Sequence, residues 1–266
     1  MAVDTAPKSP LGVLILHGFT STGESVEALA RPLEALGIPF SIPLLRGHGE
    51  PSPEALRGVR WRQWLDDAEA AFEELSLKAR RLVVVGHSMG ALLGLNLAAV
   101  FPGRVDSLVL VTPAFRLVSL LGPGRPMHFA AGMLSAVFRK WNLKSVFADP
   151  DSASCKAHYE WAPTDAILSF FELVDHTELL LPKVGCPVFI VHNRHEQTVL
   201  PESAALLSEG IATPQADREI LWLERSGHQV FCDCERELAV GAVVRYVSGR
   251  LALYQEPSIV NDVTDL

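Results

Sequence analysis

Short aliphatic runs recur along the chain, each followed by a turn and a longer amphipathic stretch. That alternation predicts parallel strands joined by crossover helices, an α/β architecture. Strands are expected at 12–16, 38–42, 82–85, 106–111, 188–192 and 219–223, and helices at 24–36, 61–79, 91–100, 202–210 and 235–253. Gly37 and Gly210 stand where two of these helices should stop. The alternation fails between about 113 and 182, which opens on the Gly/Pro stretch LGPGRP at 121–126. Two helix-like pieces rich in Phe, Trp and Leu follow, HFAAGMLSAVFRKW and TDAILSFFELVDHTELLL. An unstructured loop of that length is uncommon in a folded domain. The expected organisation is therefore a core of 1–112 and 183–266 carrying a small helical cap, or lid, of 113–182. The last eleven residues read as a polar, frayed tail.

With 266 residues, 48% hydrophobic and 20% charged, the chain is too apolar for disorder and long enough for a sizeable core. Lys and Arg total 23 against 31 Asp and Glu, a net charge of −8, which gives no footing for phosphate-backbone binding; no nucleic-acid partner is expected. The apolar runs fall far short of the roughly 20 residues of a membrane-spanning helix, and no transmembrane segment is expected. The opening MAVDTAPKSP lacks the basic start and apolar run of a signal peptide, so the expected location is cytoplasmic. Cys155, Cys186, Cys232 and Cys234 show no zinc-ligand spacing, and Cys232 and Cys234 read as plain reduced thiols. No metal or cofactor is implied.

The chemistry concentrates at strand ends. Gly86-His87-Ser88-Met89-Gly90 reads G-x-S-x-G directly after the strand LVVV and before the helix-like ALLGLNLAAV. A serine at such a tight strand-to-helix turn is forced outward as a nucleophile, and flanking glycines make room where strands and helix crowd. A hydroxyl needs a base, and the base needs an orienting acid. His228, in a loop after the last strand, is placed at the same sheet edge. His87 adjoins the serine, but its side chain is expected to leave the turn in another direction; His17 and His48 read as structural, and His128, His158 and His176 lie in the cap. Glu196 follows the strand PVFIVH and preserves the chain order Ser, acid, His. Glu202 competes, though its place after Pro201 suits a helix-starting acid. The oxyanion donors are expected to be the backbone N–H groups of Met89 and of Phe19, the latter in the turn LHGFT, with the Phe19 ring lining the acyl pocket. Phe129, Phe138, Trp141, Phe170 and Phe171 are the cap side chains expected to offer an apolar acyl pocket.

With LHGF, GHSMG, a late acid and a late SGH in order, the sequence resembles the α/β-hydrolase superfamily over nearly its whole length. The stretch from LHGFTSTGES through LLRGHGE to WRQWLDDAEAAFEEL resembles the bacterial monoacylglycerol lipase and carboxylesterase group. That resemblance implies an α/β-hydrolase fold and cofactor-free ester hydrolysis, with the acyl chain bound under a cap and with Ser88 as nucleophile, His228 as base, Glu196 as acid and Phe19 and Met89 as oxyanion donors. Two departures stand out: the acid turn reads N-R-H-E where the family has Asp, and the leading antiparallel strands are missing or very short, leaving a trimmed sheet of about six strands. A serine at the elbow excludes the haloalkane dehalogenase and epoxide hydrolase branches. The expected function is hydrolysis of carboxylic esters, monoacylglycerol or other short-to-medium acyl esters, by a monomer or weak homodimer. A non-catalytic small-ligand binder is the alternative, as is an acyltransferase or C–C bond hydrolase using the same triad. A carboxylate-binding arginine, with Arg116, Arg125 and Arg139 as candidates, would favour the C–C hydrolase.

Overall fold

The computed structural model describes residues 7–143, 147–148, 154–155 and 158–255; the expected C-terminal tail lies outside them. In chain order the elements are β1 (Ser9–Leu16), α1 (Ala30–Ala35), β2 (Phe40–Ser41), α2 (Trp61–Ser76), β3 (Ala79–His87), α3 (Met89–Val100), β4 (Val105–Val111), α4 (Ala131–Val137), β5 (Lys140–Asn142), β6 (Trp161–Pro163), α5 (Thr164–Leu180), β7 (Val188–Asn193), α6 (Glu202–Gly210), β8 (Arg218–Leu223) and α7 (Arg236–Ala252). Six of the strands form one sheet in the order β2-β1-β3-β4-β7-β8. Every neighbouring pair in it is parallel.

The strand runs are apolar at successive positions because both faces of the sheet are covered. Leu14, Leu16, Val84, Leu108, Leu110 and Ile190 pack on one side with Trp64, Phe72 and Leu92 of α2 and α3. The alternate residues Val13, Ile15, Val83, Val85, Val109 and Val191 pack on the other with Leu33 of α1 and Val240 and Val243 of α7. Burying each such side chain contributes about 1.5–3 kcal/mol. α3 is buried on nearly every side. Its one buried amide, on Asn96, donates to Leu92 O and to Thr177 Oγ1 of α5, both at 2.8 Å.

Three local expectations are corrected. The helix expected over 24–36 is two 3₁₀ turns, Gly23–Ser25 and Glu27–Leu29, followed by α1; Val26 between them sits at φ −126°, outside the helical region. The pattern between β4 and β7 predicts no strand, yet β5 and β6 pair antiparallel there; at three residues each they are too short to show a period. α5 packs Phe171, Leu173 and Val174 into the same core as α2 and α3. Finally, Cys232 is not a free thiol: it is disulfide-bonded to Cys155 across 77 residues of sequence, while Cys186 and Cys234 are free. Sequence spacing carries no trace of that pairing, since it depends on where the 154–155 segment meets the chain after β8, an approach also marked by Ser154 N donating to Cys232 O at 2.9 Å. Among the described residues no helix is long and apolar enough to cross a membrane.

Three buried groups in the fold, Asp106, His17 and His48, have pH consequences. Asp106 of β4 is buried, and burial alone would raise its carboxyl; hydrogen bonds from Arg250 (2.7 and 3.0 Å) and Tyr254 of the C-terminal region outweigh that and hold it below the usual carboxylate range. A carboxylate depressed in the folded state stabilises above its unfolded value and loses that contribution as pH falls through the folded one. Asp106→Asn, which leaves the Arg250 guanidinium unmatched, is expected to destabilise by about 2 kcal/mol at pH 7. The deficit should narrow below about pH 4, as read by thermal or urea unfolding of both proteins.

His17 and His48 act in the same direction, in a higher pH window. Leu45 N–H donates to His17 Nε2 at 3.1 Å, so the proton sits on Nδ1, which donates to Gly18 O at 2.9 Å. Burial pushes His17 down to about 4; burial, then the neighbouring His17, pushes His48 to about 3. The unfolded chain takes up protons below about pH 6.5 while the folded one does not, so stability falls as pH falls. Urea unfolding between pH 7 and 5 should show a loss approaching about 1.4 kcal/mol per pH unit for each histidine once below its unfolded value; a flat profile would overturn their neutral assignment.

Candidate active site

The parallel sheet sends the chain out of β1, β3, β7 and β8 along one edge, and four loops converge there. The order β2-β1-β3-β4 makes the β1/β3 boundary a topological switch point, where open α/β sheets form their crevice. Ser88 occupies the β3–α3 turn at φ 55° and ψ −112°, a left-handed backbone that a serine adopts only when its surroundings impose it. The flanking glycines are required by space: a Cβ on Gly86 would lie 2.3 Å from Gly90 O, and one on Gly90 would lie 2.2 Å from Leu16 O of β1.

His228 leaves the loop after β8 and brings Nε2 to 2.8 Å from Ser88 Oγ. Its Nδ1 is 2.7 Å from Glu196 Oε1. That same carboxylate oxygen accepts from the N–H groups of Val199 (2.6 Å) and Thr198 (3.2 Å), which orient it toward the ring. All three side chains are at most 7% exposed as residues, so the array sits in low dielectric, where hydrogen bonds to charge are strengthened. The extra methylene of glutamate is accommodated without lengthening the Nδ1 contact. Glu202 heads α6 on the surface instead.

The loop after β1 lies against the elbow, since a Cβ on Gly18 would meet Ser88 Cβ at 3.2 Å. Phe19 in that loop stacks on Phe170 of α5, centroids 5.3 Å apart and planes at 7°. Met89 begins α3, so its N–H has no acceptor within the helix and carries the positive end of the helix dipole. A cavity of about 420 Å³ opens above Ser88 and His228. Phe19, Trp141, Phe170 and Phe171 line it, together with Leu117, Leu134, Ile167 and Leu168. Phe129 and Phe138 do not: they are 80% and 51% exposed and point away from the cavity, because α4 is short and lines it through Ala131, Leu134 and Ser135. Arg116, Arg125 and Arg139 are likewise outside its lining, and Arg116 is engaged by both carboxylate oxygens of Glu178.

Several residues at the site escaped the sequence reading. His158 and Thr20 line the cavity, with His158 Nε2 3.0 Å from Thr20 Oγ1; burial first, then the His228 charge, pushes His158 down to about 4. Asp233 Oδ2 accepts from Gly227 N–H at 2.8 Å and Ala148 N–H at 2.7 Å. Glu235 accepts from Arg225 and Ser226 N–H at 2.7 and 2.8 Å, and Asn193 donates to Gly227 O. These three hold the loop that carries His228, and the acids at 233 and 235, just after SGHQ, were the available signal. His87, expected to leave the turn in another direction, reaches the backbone of the base: its Nε2 lies 2.8 Å from His228 O.

The family model of the serine aminopeptidases, S33, matches residues 8–235. The chain is 28% identical over 236 residues to a thermostable monoacylglycerol lipase of a Bacillus species (strain H-257), covering 88% of this chain and 89% of that one. It is 27% identical over 234 residues to a carboxylesterase of Bacillus subtilis (strain 168), covering 85% and 87%. Among solved structures it resembles one from the metagenome-derived lipolytic enzymes LipS and LipT, at 27% identity and TM-score 0.81, covering 91% and 95%. The parallel sheet, the glycine-flanked serine turn and the match along 8–235 place this chain in the serine aminopeptidase S33 family of α/β hydrolases.

Proposed function

We propose that the protein hydrolyses carboxylic esters of apolar acyl chains, monoacylglycerols or other short-to-medium esters among them, through an acyl-enzyme on Ser88. The observation that carries this is the unbroken contact from Ser88 Oγ through His228 to Glu196 at the floor of an apolar cavity. Ser88 Oγ bonds to the ester carbonyl carbon as His228 Nε2 takes its proton; the imidazolium is steadied by Glu196. The oxyanion is received by the N–H groups of Met89 and Phe19. Collapse breaks the ester C–O bond, His228 returns the proton to the departing alcohol, and water attacks the acyl-enzyme by the same route to release the acid. Names of the relatives, a monoacylglycerol lipase and a carboxylesterase, support this choice of substrate class.

The interval 113–182 is proposed as the cap over the acyl site, with α5 as its base and Trp141, Phe170 and Phe171 facing the acyl chain. Location in the cytoplasm belongs to the proposal too, and the Cys155–Cys232 disulfide weighs against it, because reducing compartments rarely retain such bonds. The monomer or weak homodimer expected from the sequence belongs to it as well.

Hydrolysis of p-nitrophenyl esters from acetate to palmitate, beside a monoacylglycerol, tests the reading. Ser88→Ala should abolish turnover and labelling by a fluorophosphonate. Glu196→Gln should lower kcat on the order of 10⁴-fold with the fold intact, by analogy with loss of the triad carboxylate in other serine hydrolases; near-normal activity would remove Glu196 from the mechanism. Ile167→Trp, which fills the cavity from α5, should shift the preferred acyl chain toward shorter esters while acetate turnover holds within about threefold.

A further inference from the structure

His87 is the last residue of β3 and the direct neighbour of Ser88. Its side chain is wholly buried, and the ring lies 4.9 Å from that of His228 at 47°. A carbonyl oxygen can only accept, so the 2.8 Å contact between His87 Nε2 and His228 O requires the proton on Nε2. Nδ1 is left bare and has no hydrogen-bond partner among the described residues. The backbone of Gly18 in the β1 loop closes against it, since a Cβ there would be 3.1 Å from Nδ1. The ring therefore touches all three parts of the site: the nucleophile turn it belongs to, the β1 loop and the base.

The loop around His228 is tied from outside the nucleophile turn by Asp233, Glu235 and Asn193, which all act on residues 225–227. His228 itself has its carbonyl taken by Val230 N–H at 3.0 Å and by His87. The His87 bond spans from the residue beside the nucleophile to the backbone of the base. The imidazole of His228 must satisfy two contacts at once, 2.8 Å to Ser88 and 2.7 Å to Glu196, and a rotation that improves one spoils the other.

We propose that His87 is a positioning residue: its Nε2–H, donating to the His228 carbonyl, fixes the base relative to the serine one residue away. The proposal rests on the reading of Ser88, His228 and Glu196 given above. Neutrality of His87 is part of its fitness for the role, because a second positive ring 4.9 Å away would oppose the imidazolium that forms during turnover. Burial first, then the nearby His228, pushes His87 down to about 3, so it stays neutral throughout the working range.

The experiment compares His87→Leu, which fills the space without a donor, with His87→Gln, whose amide nitrogen can reach the same carbonyl. Around His228 the titratable groups are Glu196, His87, His158 and His192, and burial is the largest cause lowering each of the latter three. His87→Leu is expected to lose about 10- to 100-fold in kcat with KM nearly unchanged. His87→Gln should recover to within about threefold of the wild type. A Leu variant with normal kcat overturns the proposal, as does a Gln variant impaired as much as Leu, a loss that falls on KM rather than kcat, or a loss confined to melting temperature. Fluorophosphonate labelling separates the two levels: if wild type labels and Ser88→Ala does not, the triad reading stands whatever the His87 variants do, whereas labelling that persists in Ser88→Ala defeats that reading itself.

Discussion

The structure turns on the close approach of α3 to the edge of the sheet at Ser88. Gly90 lies so near the Leu16 carbonyl of β1, and Gly86 so near the Gly90 carbonyl, that any side chain at either position would force strand and helix apart. A serine backbone at φ 55° costs on the order of 1–3 kcal/mol. It is held there by packing on both sides: β3 is central in the sheet, α3 is buried almost all round, and Ser88 N–H continues the ladder by donating to Val111 O at 2.8 Å. The strain is local, while its support is spread through much of the core. One result is a hydroxyl raised above the sheet edge; another is a helix start whose unpaired N–H groups face the same space.

Around that turn the remaining polar groups are held by hydrogen bonds that leave little choice of position. Glu196 is oriented by two backbone N–H groups of its own loop, and the His228 loop by Asp233, Glu235 and Asn193. Buried histidines contribute through neutrality: His17 uses both ring nitrogens to tie the β1 loop to Leu45, and His87 lies between the nucleophile turn and the base. The apolar half of the site is built differently. Phe19, Phe170 and Phe171 provide rigid surface by stacking and packing, and α4 and β5 add Leu134 and Trp141 to the wall of the cavity they border.

Much of this was legible in the chain itself. The six main strands lie where uninterrupted aliphatic runs predicted them, because a parallel sheet covered on both faces has no polar side to display. Ser88, Glu196 and His228 each follow a predicted strand, and a parallel sheet delivers all such loops to one edge. Local pattern carries no signal where an element is very short or a contact is distant. β5 and β6 have three residues each, the 24–36 run is broken at Val26, and Phe129 and Phe138 share the composition of a pocket wall while facing outward.

The sequence by itself determined the layered α/β architecture, the serine turn and the edge on which chemistry could occur, because period, glycine placement and strand order act over a few residues at a time. Tertiary structure alone decided which side chains meet. It set the disulfide of Cys155 with Cys232, the turn of His87 toward His228, the clamp of Asp233 and Glu235 on the base loop, and the identity of the cavity wall. Those contacts join residues up to 141 positions apart, and their geometry follows from how separate loops pack, which no local pattern encodes.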